Sequence, residues 1–230
     1  MKTIGIIGGM SWESSAQYYA IINRAVRERL GAPHSASILM QSLDFGEIEP
    51  LQRAGEWDQL SDILVESAEA LEAGGADCLL IATNTMHKLA PAIEESCDLP
   101  LLHITDCAAD AACAEGITTV ALIGTAFTME QDFYKERLSE YHGLDVIVPE
   151  TDDRAELHRV IYEELVAGKI EEASRESYRE IIARLVKDGA QGVIMGCTEI
   201  TLLIDQSDST VPLFDTTQLH AMAAVEFALS

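Results

Sequence analysis

Two short polar stretches contain residue types that could transfer a proton at a small molecule. They are Cys197-Thr198-Glu199 and Thr83-Asn84-Thr85. Cys197 is expected at the carboxyl end of a strand, where the N-terminus of a following helix would favour its thiolate. We therefore predict a lowered pKa for this thiol, which would make it a usable base near neutral pH. A threonine hydroxyl does not ionise near neutral pH, so Thr83 could donate or relay a proton but is a poor base unaided.

The two stretches occupy equivalent positions in an internal repeat. The pattern of residues 189–199 repeats that of residues 75–85, and residues 119–125 repeat residues 3–9 in the same order along the chain. This repeat predicts two similar lobes of half size and places Thr83 and Cys197 at matching positions. Two reactive residues so placed could act on opposite faces of one substrate carbon.

Apolar runs of strand length alternate with longer amphipathic segments throughout, which is typical of parallel sheets with crossover helices. We predict an α/β fold of two pseudo-symmetric lobes, each a four-stranded parallel sheet flanked by helices. The predicted strands are 3–7, 36–43, 77–82, 100–103, 119–123, 144–148, 191–195 and 211–214. The predicted helices are 12–30, 56–73, 86–95, 105–115, 127–141, 153–167, 172–187, 198–204 and 216–229. The lobes would comprise residues 1–104 and 105–215, with residues 216–230 packing back on the first.

In open parallel sheets, ligands bind beyond the carboxyl ends of the strands. Four polar clusters are predicted there, at 8–11, 83–85, 124–125 and 196–199, and their backbone N–H groups could hold a carboxylate. For the first cluster, a tight turn without a ligand is the alternative. Neither a G-x-G-x-x-G fingerprint nor a phosphate-binding loop is present, and the cysteines have no metal-ligand spacing. We therefore expect no nucleotide cofactor and no metal.

The chain is strongly acidic, with a formal net charge of −24 in 230 residues. Nucleic-acid binding requires clustered Lys and Arg, so it is excluded for the surface as a whole. No membrane-spanning apolar run or signal region is present, and the odd number of irregularly spaced cysteines indicates free thiols. We expect a cytoplasmic protein that does not bind membranes. The acidity indicates solvated helix faces or, alternatively, adaptation to high salt.

Three motifs together resemble the aspartate/glutamate racemase family of cofactor-independent amino-acid racemases. They are Gly8-Gly9-Met10-Ser11-Trp12-Glu13, Asn84-Thr85-Met86-His87 and Gly196-Cys197-Thr198-Glu199. The resemblance runs the full length and is closest to the bacterial branch of broad-specificity or L-aspartate/glutamate-specific racemases. It implies two lobes with the active site between them, usually in a homodimer, and an amino-acid substrate.

In that family, a cysteine from each lobe flanks the substrate Cα. Cys197 matches the second cysteine, but Thr83 stands in place of the first, so Thr83 either transfers a proton or only binds substrate. The resemblance further implies that the substrate is surrounded by Met10, Gln52, Asn84, Thr85, Thr125, Thr198 and Glu199. Some relatives have an arginine near the position of Gln52 that holds an acidic side chain. Because this chain has glutamine there, we expect that glutamate or uncharged polar amino acids could be substrates as well as aspartate.

Racemisation of aspartate or glutamate at Cα is the predicted function. Two alternatives remain open. One is a related decarboxylase or cis–trans isomerase that uses Cys197 as proton donor or nucleophile. The other is a catalytically weak protein that binds amino acids, in which loss of the first cysteine left only recognition.

Overall fold

Two compact units make up the chain in the computed structural model, which describes all residues from 1 to 230. Unit 1 comprises residues 1–104 and 217–230, and unit 2 comprises residues 105–216. The strands are β1 (Ile4–Gly8), β2 (Ile38–Ser42), β3 (Cys78–Ile81), β4 (Thr119–Gly124), β5 (Asp145–Ile147), β6 (Gly192–Gly196) and β7 (Leu213–Asp215). The α-helices are α1 (Trp12–Leu30), α2 (Phe45–Ala54), α3 (Trp57–Ala73), α4 (Ala90–Ser96), α5 (Ile104–Ala114), α6 (Ala126–Glu130), α7 (Asp132–Glu136), α8 (Thr151–Val160), α9 (Glu172–Lys187) and α10 (Thr216–Leu229).

Unit 1 is built on a parallel sheet with the strand order β2-β1-β3. Every residue of β1 and β3 is buried, as expected for strands covered on both faces. On one face Tyr18 and Ile22 of α1 pack in a common core with Val225 of α10. On the other face the core includes Leu60 and Leu64 of α3.

Unit 2 is built on a four-stranded parallel sheet with the order β5-β4-β6-β7. Its central strands β4 and β6 pair from Val120 opposite Gly192 to Gly124 opposite Gly196. One core contains apolar residues of α8 and α9, including Leu157, Tyr178 and Ile181, which are at most 1% exposed. The two central strands therefore end side by side at Gly124 and Gly196.

The prediction of four strands is correct for unit 2 and wrong for unit 1. The segment predicted as strand 100–103 makes only one parallel bridge, from Leu101 to Leu79. The two backbone hydrogen bonds of this bridge run from Leu79 N to Pro100 O and from Leu102 N to Leu79 O. Helix α5 begins at Ile104, so the segment ends before it can pair further.

Several predicted helices are shorter than expected or have 3₁₀ or π geometry in part. One observed α-helix, α2, was not predicted. The segment 86–95 divides into a 3₁₀ turn at Thr85–Leu89 and then α4, and 198–204 is a 3₁₀ turn at Thr198–Leu202. The segment 127–141 is interrupted at Gln131 and ends in a π-helical turn at Arg137–Tyr141. The segment 153–167 continues from α8 into a π-helical turn at Ile161–Leu165. Helix α2 was missed because Pro50 lies inside it, where proline normally disfavours a helix. A second omission is a short 3₁₀ turn at Gln206–Asp208.

None of the helices combines the length and apolar character needed to cross a membrane.

Candidate active site

The loop after β1 approaches its neighbours too closely for larger residues. Gly9 has φ of 90°, a conformation that glycine adopts without steric cost. A Cβ atom at Gly8 would lie 2.6 Å from Oγ of Ser15. The same hydroxyl accepts a hydrogen bond from Gly9 N at 2.7 Å and donates to Ser11 O at 3.0 Å. Ser15 therefore fixes this loop. This role was not predicted from the sequence, where Ser15 is only a residue of a predicted helix. Met10 is buried within the loop.

Thr83, Asn84 and Thr85 follow β3 in the same unit. Asn84 is buried, whereas Thr83 and Thr85 are partly exposed. Because Ile7 pairs with Ile81, this loop lies beside the glycine loop that follows β1. The register thus brings Thr83 and Met10 to the same edge of the unit 1 sheet.

His87 holds the backbone of Thr83 in place. Its Nε2 accepts from Ile104 N at 3.2 Å, so the ring proton is on Nδ1, which lies 2.8 Å from Thr83 O and donates to it. His87 is 2% exposed, and its ring packs against those of His103 and His220 at centroid distances of 4.5 and 5.5 Å. The contact with Thr83 O therefore orients the loop that follows β3.

Gln52 lies against the Thr83 loop although its helix was not predicted. It is 6% exposed in α2, and its Nε2 is 3.0 Å from Sδ of Met86. The neighbouring Arg53 is exposed and pairs with Glu49 on the same helix. Of these two adjacent residues, the uncharged amide is the buried one.

Cys197, Thr198 and Glu199 form a hydrogen-bonded group after β6 in unit 2. Sγ of Cys197 donates to Oε2 of Glu199 at 2.9 Å, and Oγ1 of Thr198 donates to the same oxygen at 2.7 Å. A carboxylate that accepts two side-chain donors is held in one orientation. Glu199 is therefore the acceptor for the thiol proton. From the sequence, Glu199 was expected only to bind substrate, so this contact was not predicted.

The prediction of a lowered pKa for Cys197 is wrong. Burial raises the pKa of this thiol well above its ordinary value, and the negative charge and hydrogen bond of Glu199 raise it further. The backbone N–H groups of Thr198 and Glu199 act in the opposite direction but are outweighed. The turn after Cys197 has only five residues in 3₁₀ geometry, so it lacks the aligned dipoles of a long α-helix. Cys197 is thus a thiol at neutral pH.

Thr125 lies next to Cys197 by strand register, because Gly124 and Gly196 are paired directly before them. Thr125 is buried and caps α6, with Thr128 N donating to its Oγ1 at 3.4 Å. A Cβ atom at Gly196 would lie 2.9 Å from Cγ2 of Thr128, so glycine is needed for this close packing. Within unit 2 the structure brings together Thr125, Cys197, Thr198 and Glu199.

No group of three or more His, Cys, Asp or Glu residues is arranged to hold a metal ion. All five cysteines are free, and Cys78 and Cys107 have pKa values raised by burial to about 11 and about 12. Of the cysteines, only Cys197 is hydrogen-bonded to a carboxylate at the end of a central strand.

Solved structures of related proteins share this fold over the whole chain. A Yersinia pestis protein assigned as an Asp/Glu racemase is 50% identical, with a TM-score of 0.96 and complete coverage of both chains. An aspartate racemase homologue from Pyrococcus horikoshii OT3 is 35% identical, with a TM-score of 0.89 and the same coverage.

Sequence comparison leads to the same group of proteins. The broad specificity amino-acid racemase RacX of Bacillus subtilis is 22% identical over 99% of this chain and 98% of its own length. The sequence model of the Asp/Glu/Hydantoin racemase family matches residues 7–224. The chain belongs to the Asp/Glu/Hydantoin racemase family and is an isomerase of the amino-acid racemase type.

Proposed function

We propose that this protein racemises aspartate or glutamate without a cofactor, with Cys197 and Thr83 transferring protons on opposite faces of Cα. The hydrogen bond from Cys197 to Glu199 is the observation that carries the proposal, because it gives the thiol proton an acceptor. The similarity to the Yersinia pestis protein assigned as an Asp/Glu racemase and to the aspartate racemase homologue from Pyrococcus horikoshii supports the choice of acidic amino acids.

Cys197 and Glu199 act as a pair in this proposal. At rest the proton is on sulfur, because burial and the nearby carboxylate raise the pKa of the thiol. When Cys197 acts as a base, its proton passes to Oε2 of Glu199 while sulfur takes the proton of Cα–H. The electron pair of the broken C–H bond is then delocalised into the substrate carboxylate. In the reverse direction the thiol delivers its proton to Cα and recovers one from Glu199.

Thr83 supplies a proton to the other face of Cα from its hydroxyl. The resulting alkoxide must recover a proton from water or from the substrate ammonium before the next turnover, since a threonine hydroxyl is a very weak acid. The proton that Glu199 took from Cys197 must be released to water in the same interval. The bond from His87 to Thr83 O fixes the backbone from which this hydroxyl projects. Fixed positioning matters because proton transfer requires hydrogen-bond distance between donor and acceptor.

Substrate recognition is assigned to the remaining polar residues at the strand ends. Backbone N–H groups and buried hydroxyls are suited to a carboxylate whose negative charge grows as Cα loses its proton. Gln52 can donate to a side-chain carboxylate but supplies no positive charge, so aspartate and glutamate would be accepted together. The proposed binding residues are Met10, Gln52, Asn84, Thr85, Thr125, Thr198 and Glu199.

The test is an assay of L- and D-amino acids in deuterated water, read by chiral separation and mass spectrometry. The expected result is incorporation of deuterium at Cα together with conversion of aspartate or glutamate to the other enantiomer. Cys197→Ser should lower the rate by about 100-fold or more, since removal of a positioned acid–base group has effects of that order. The exposed Cys113→Ser is the matched control and should be fully active.

Release of carbon dioxide without racemisation would assign the chain to the decarboxylase alternative. Binding of amino acids with no exchange at Cα would assign it to the binding alternative. Racemisation that disappears on dialysis and returns with pyridoxal phosphate or a metal would contradict the cofactor-independent mechanism.

A further inference from the structure

The short helix α6 begins directly after Thr125, one of the proposed substrate-binding residues. Thr125 caps this helix, and Thr128 N lies 3.0 Å from Thr125 O and 3.4 Å from its Oγ1. The helix has only five residues, and a helix of about one turn is not stable through its own hydrogen bonds. Contacts with other elements of unit 2 must therefore determine where Thr125 lies.

His158 of α8 provides such a contact at the first residue of α6. Ala126 N donates to Nδ1 of His158 at 3.2 Å. The first N–H groups of a helix have no partner within the helix, so this bond satisfies one of them. Because Ala126 follows Thr125 directly, the bond fixes the backbone beside Thr125.

The imidazole of His158 is itself held in place. Its ring packs against the ring of Tyr162 in the π-helical turn that follows α8, with the ring centroids 4.6 Å apart. The preceding residue, Leu157, is buried, and its backbone O accepts a hydrogen bond from Tyr178 of α9 at 3.2 Å. These contacts anchor α8 around His158, so His158 transmits the position of α8 to the start of α6.

The hydrogen bond from Ala126 requires the neutral form of His158. Nδ1 can accept a hydrogen bond only while it carries no proton, so the ring proton is on Nε2. Burial lowers the pKa of His158, and the negative charge of Glu130 acts in the opposite direction but is outweighed. His158 is thus neutral at pH 7. A protonated ring would direct an N–H group at the N–H group of Ala126.

The charged groups around His158 are engaged with one another. Glu130 of α6, whose charge acts on His158, pairs with Arg154 of α8, with Oε1 and Nε 3.1 Å apart. The π-helical turn adds Glu163 and Glu164, which both lie within ion-pair distance of Arg159. The remaining titratable groups of the elements packed against α8 are Tyr162 of that turn and Tyr178 and Arg184 of α9, and Arg184 pairs with Asp153. Strand β4 contributes no titratable side chain.

We propose that His158 is a positioning residue that keeps Thr125 aligned to bind the substrate, and that protonation of His158 releases this alignment. The inference rests on the proposed function, because it takes Thr125 as a contact of the amino-acid substrate. When the bond from Ala126 N is lost, Thr125 is aligned for only part of the time, and the apparent affinity falls in proportion to the aligned fraction. Binding is weakened in this way while the groups that transfer protons are unchanged.

Two substitutions of His158 separate the hydrogen bond from the volume of the side chain. His158→Leu removes the acceptor but keeps an apolar side chain of similar size. His158→Asn keeps an acceptor, because Oδ1 of asparagine is as many bonds from Cα as Nδ1 of histidine. For L-aspartate at neutral pH, the leucine variant should raise KM by about fivefold, the size expected for one hydrogen bond, with kcat nearly unchanged. The asparagine variant should keep KM close to that of the unmodified chain.

Acid pH gives a readout that a purely structural role would not change. As the pH falls below about 6.5, the ordinary pKa of histidine, KM of the unmodified chain should rise, because protonation of His158 begins there and its lowered pKa extends it to lower pH. His158→Asn cannot gain a proton in this range, so its KM should rise less, and KM of His158→Leu should be high throughout. The exposed His34→Asn is the matched control and should reproduce the profile of the unmodified chain.

Binding of L-aspartate measured by titration calorimetry distinguishes this inference from the proposed function. If the unmodified chain binds aspartate without racemising it, the proposed function fails, while weaker binding by the leucine variant alone still supports the role of His158. Urea unfolding should show that each variant is folded. KM and affinity that are equal in all three proteins, or raised equally in the leucine and asparagine variants, would overturn the proposal. Parallel pH profiles of the unmodified chain and His158→Asn would also overturn it.

Discussion

The thiol of Cys197 donates its hydrogen bond to the carboxylate of Glu199, which lies only two residues further along the chain. The same carboxylate oxygen accepts from Thr198. The pair therefore combines a thiol whose pKa is raised with a carboxylate oxygen that is placed to accept its proton. This arrangement leads to predictions that separate proton transfer from simple hydrogen bonding.

Glu199→Gln should have opposite effects on turnover and on thiol reactivity. Glutamine can keep a hydrogen bond to the thiol but cannot take its proton, so racemisation should fall by about 100-fold or more. Loss of the negative charge removes one cause of the raised pKa of Cys197, so the thiolate fraction and the rate of alkylation at pH 8 should rise. Mass spectrometry can follow carboxymethylation of Cys197, with the exposed Cys113 as internal reference. Unchanged turnover would show that Glu199 only orients its neighbours.

Thr83→Cys should make proton exchange from the two enantiomers more alike. Thr83 supplies a proton readily but removes one poorly, so deuterium exchange from one enantiomer should be much faster in the unmodified protein, and the family resemblance favours L. A thiol has an ordinary pKa of about 8.5, so the substitution adds a base on that face. Exchange rates measured by NMR in deuterated water provide the comparison. Equal rates before and after the substitution would show that Thr83 only binds substrate.

The overall reaction gives an internal check on that experiment. The equilibrium constant between L and D forms is one, so the ratio of kcat/KM for the two directions must also be one in a true racemase. Asymmetry can therefore appear in kcat, in KM and in exchange, but not in that ratio.

His87→Ala should lower both stability and turnover, whereas His87→Asn should retain more of each. Alanine leaves Ile104 N and Thr83 O without their partner and opens a cavity, which costs about 1–3 kcal/mol for the unsatisfied groups alone. Asparagine can still donate to Thr83 O. Urea unfolding measures the stability, and kcat of the folded variants measures the positioning of Thr83. If alanine reduces stability but leaves kcat unchanged, the contact serves the fold and not the reaction.

Asp208 should make unit 2 sensitive to acid. Burial of this carboxyl raises its pKa, but hydrogen bonds from Arg175, from the backbone of Asp205 and from Arg179 outweigh burial and lower the pKa to about 2. A group with a lowered folded-state pKa stabilises the fold above its unfolded value near 3.9, and this stabilisation is lost as the pH falls towards 2. The shift corresponds to about 2 kcal/mol at neutral pH.

Asp208→Asn should remove this dependence on pH. The variant should be less stable than the unmodified chain at pH 7, and the difference should narrow as the pH falls from 4 towards 2. Denaturant unfolding followed across this range measures both quantities. Asp205→Asn, which alters the neighbouring exposed carboxylate, is the control and should have a smaller effect. A constant difference between Asp208→Asn and the unmodified chain would contradict the assignment.

The alternation of apolar strands with amphipathic helices could be predicted from the sequence, because each element buries its own periodic set of residues. Helix α1 was predicted with its observed bounds, since Ser11 caps its start and Gly31 follows its end. The repeat also placed Thr83 and Cys197 at equivalent positions, shortly after β3 in unit 1 and directly after β6 in unit 2. These features depend on local pattern, which a single sequence contains.

Tertiary structure decided the properties that depend on neighbours distant along the chain or on burial. Helix α2 forms despite Pro50, because Ile48 and Gln52 are buried against other parts of unit 1. His87 donates to Thr83 O through Nδ1 because Ile104 N, which is distant along the chain, donates to its Nε2 and so leaves the ring proton on Nδ1. The pKa of Cys197 is raised and not lowered because desolvation and the charge of Glu199 exceed the effect of two backbone N–H groups, a balance of energies set by the packed structure and not by residue order.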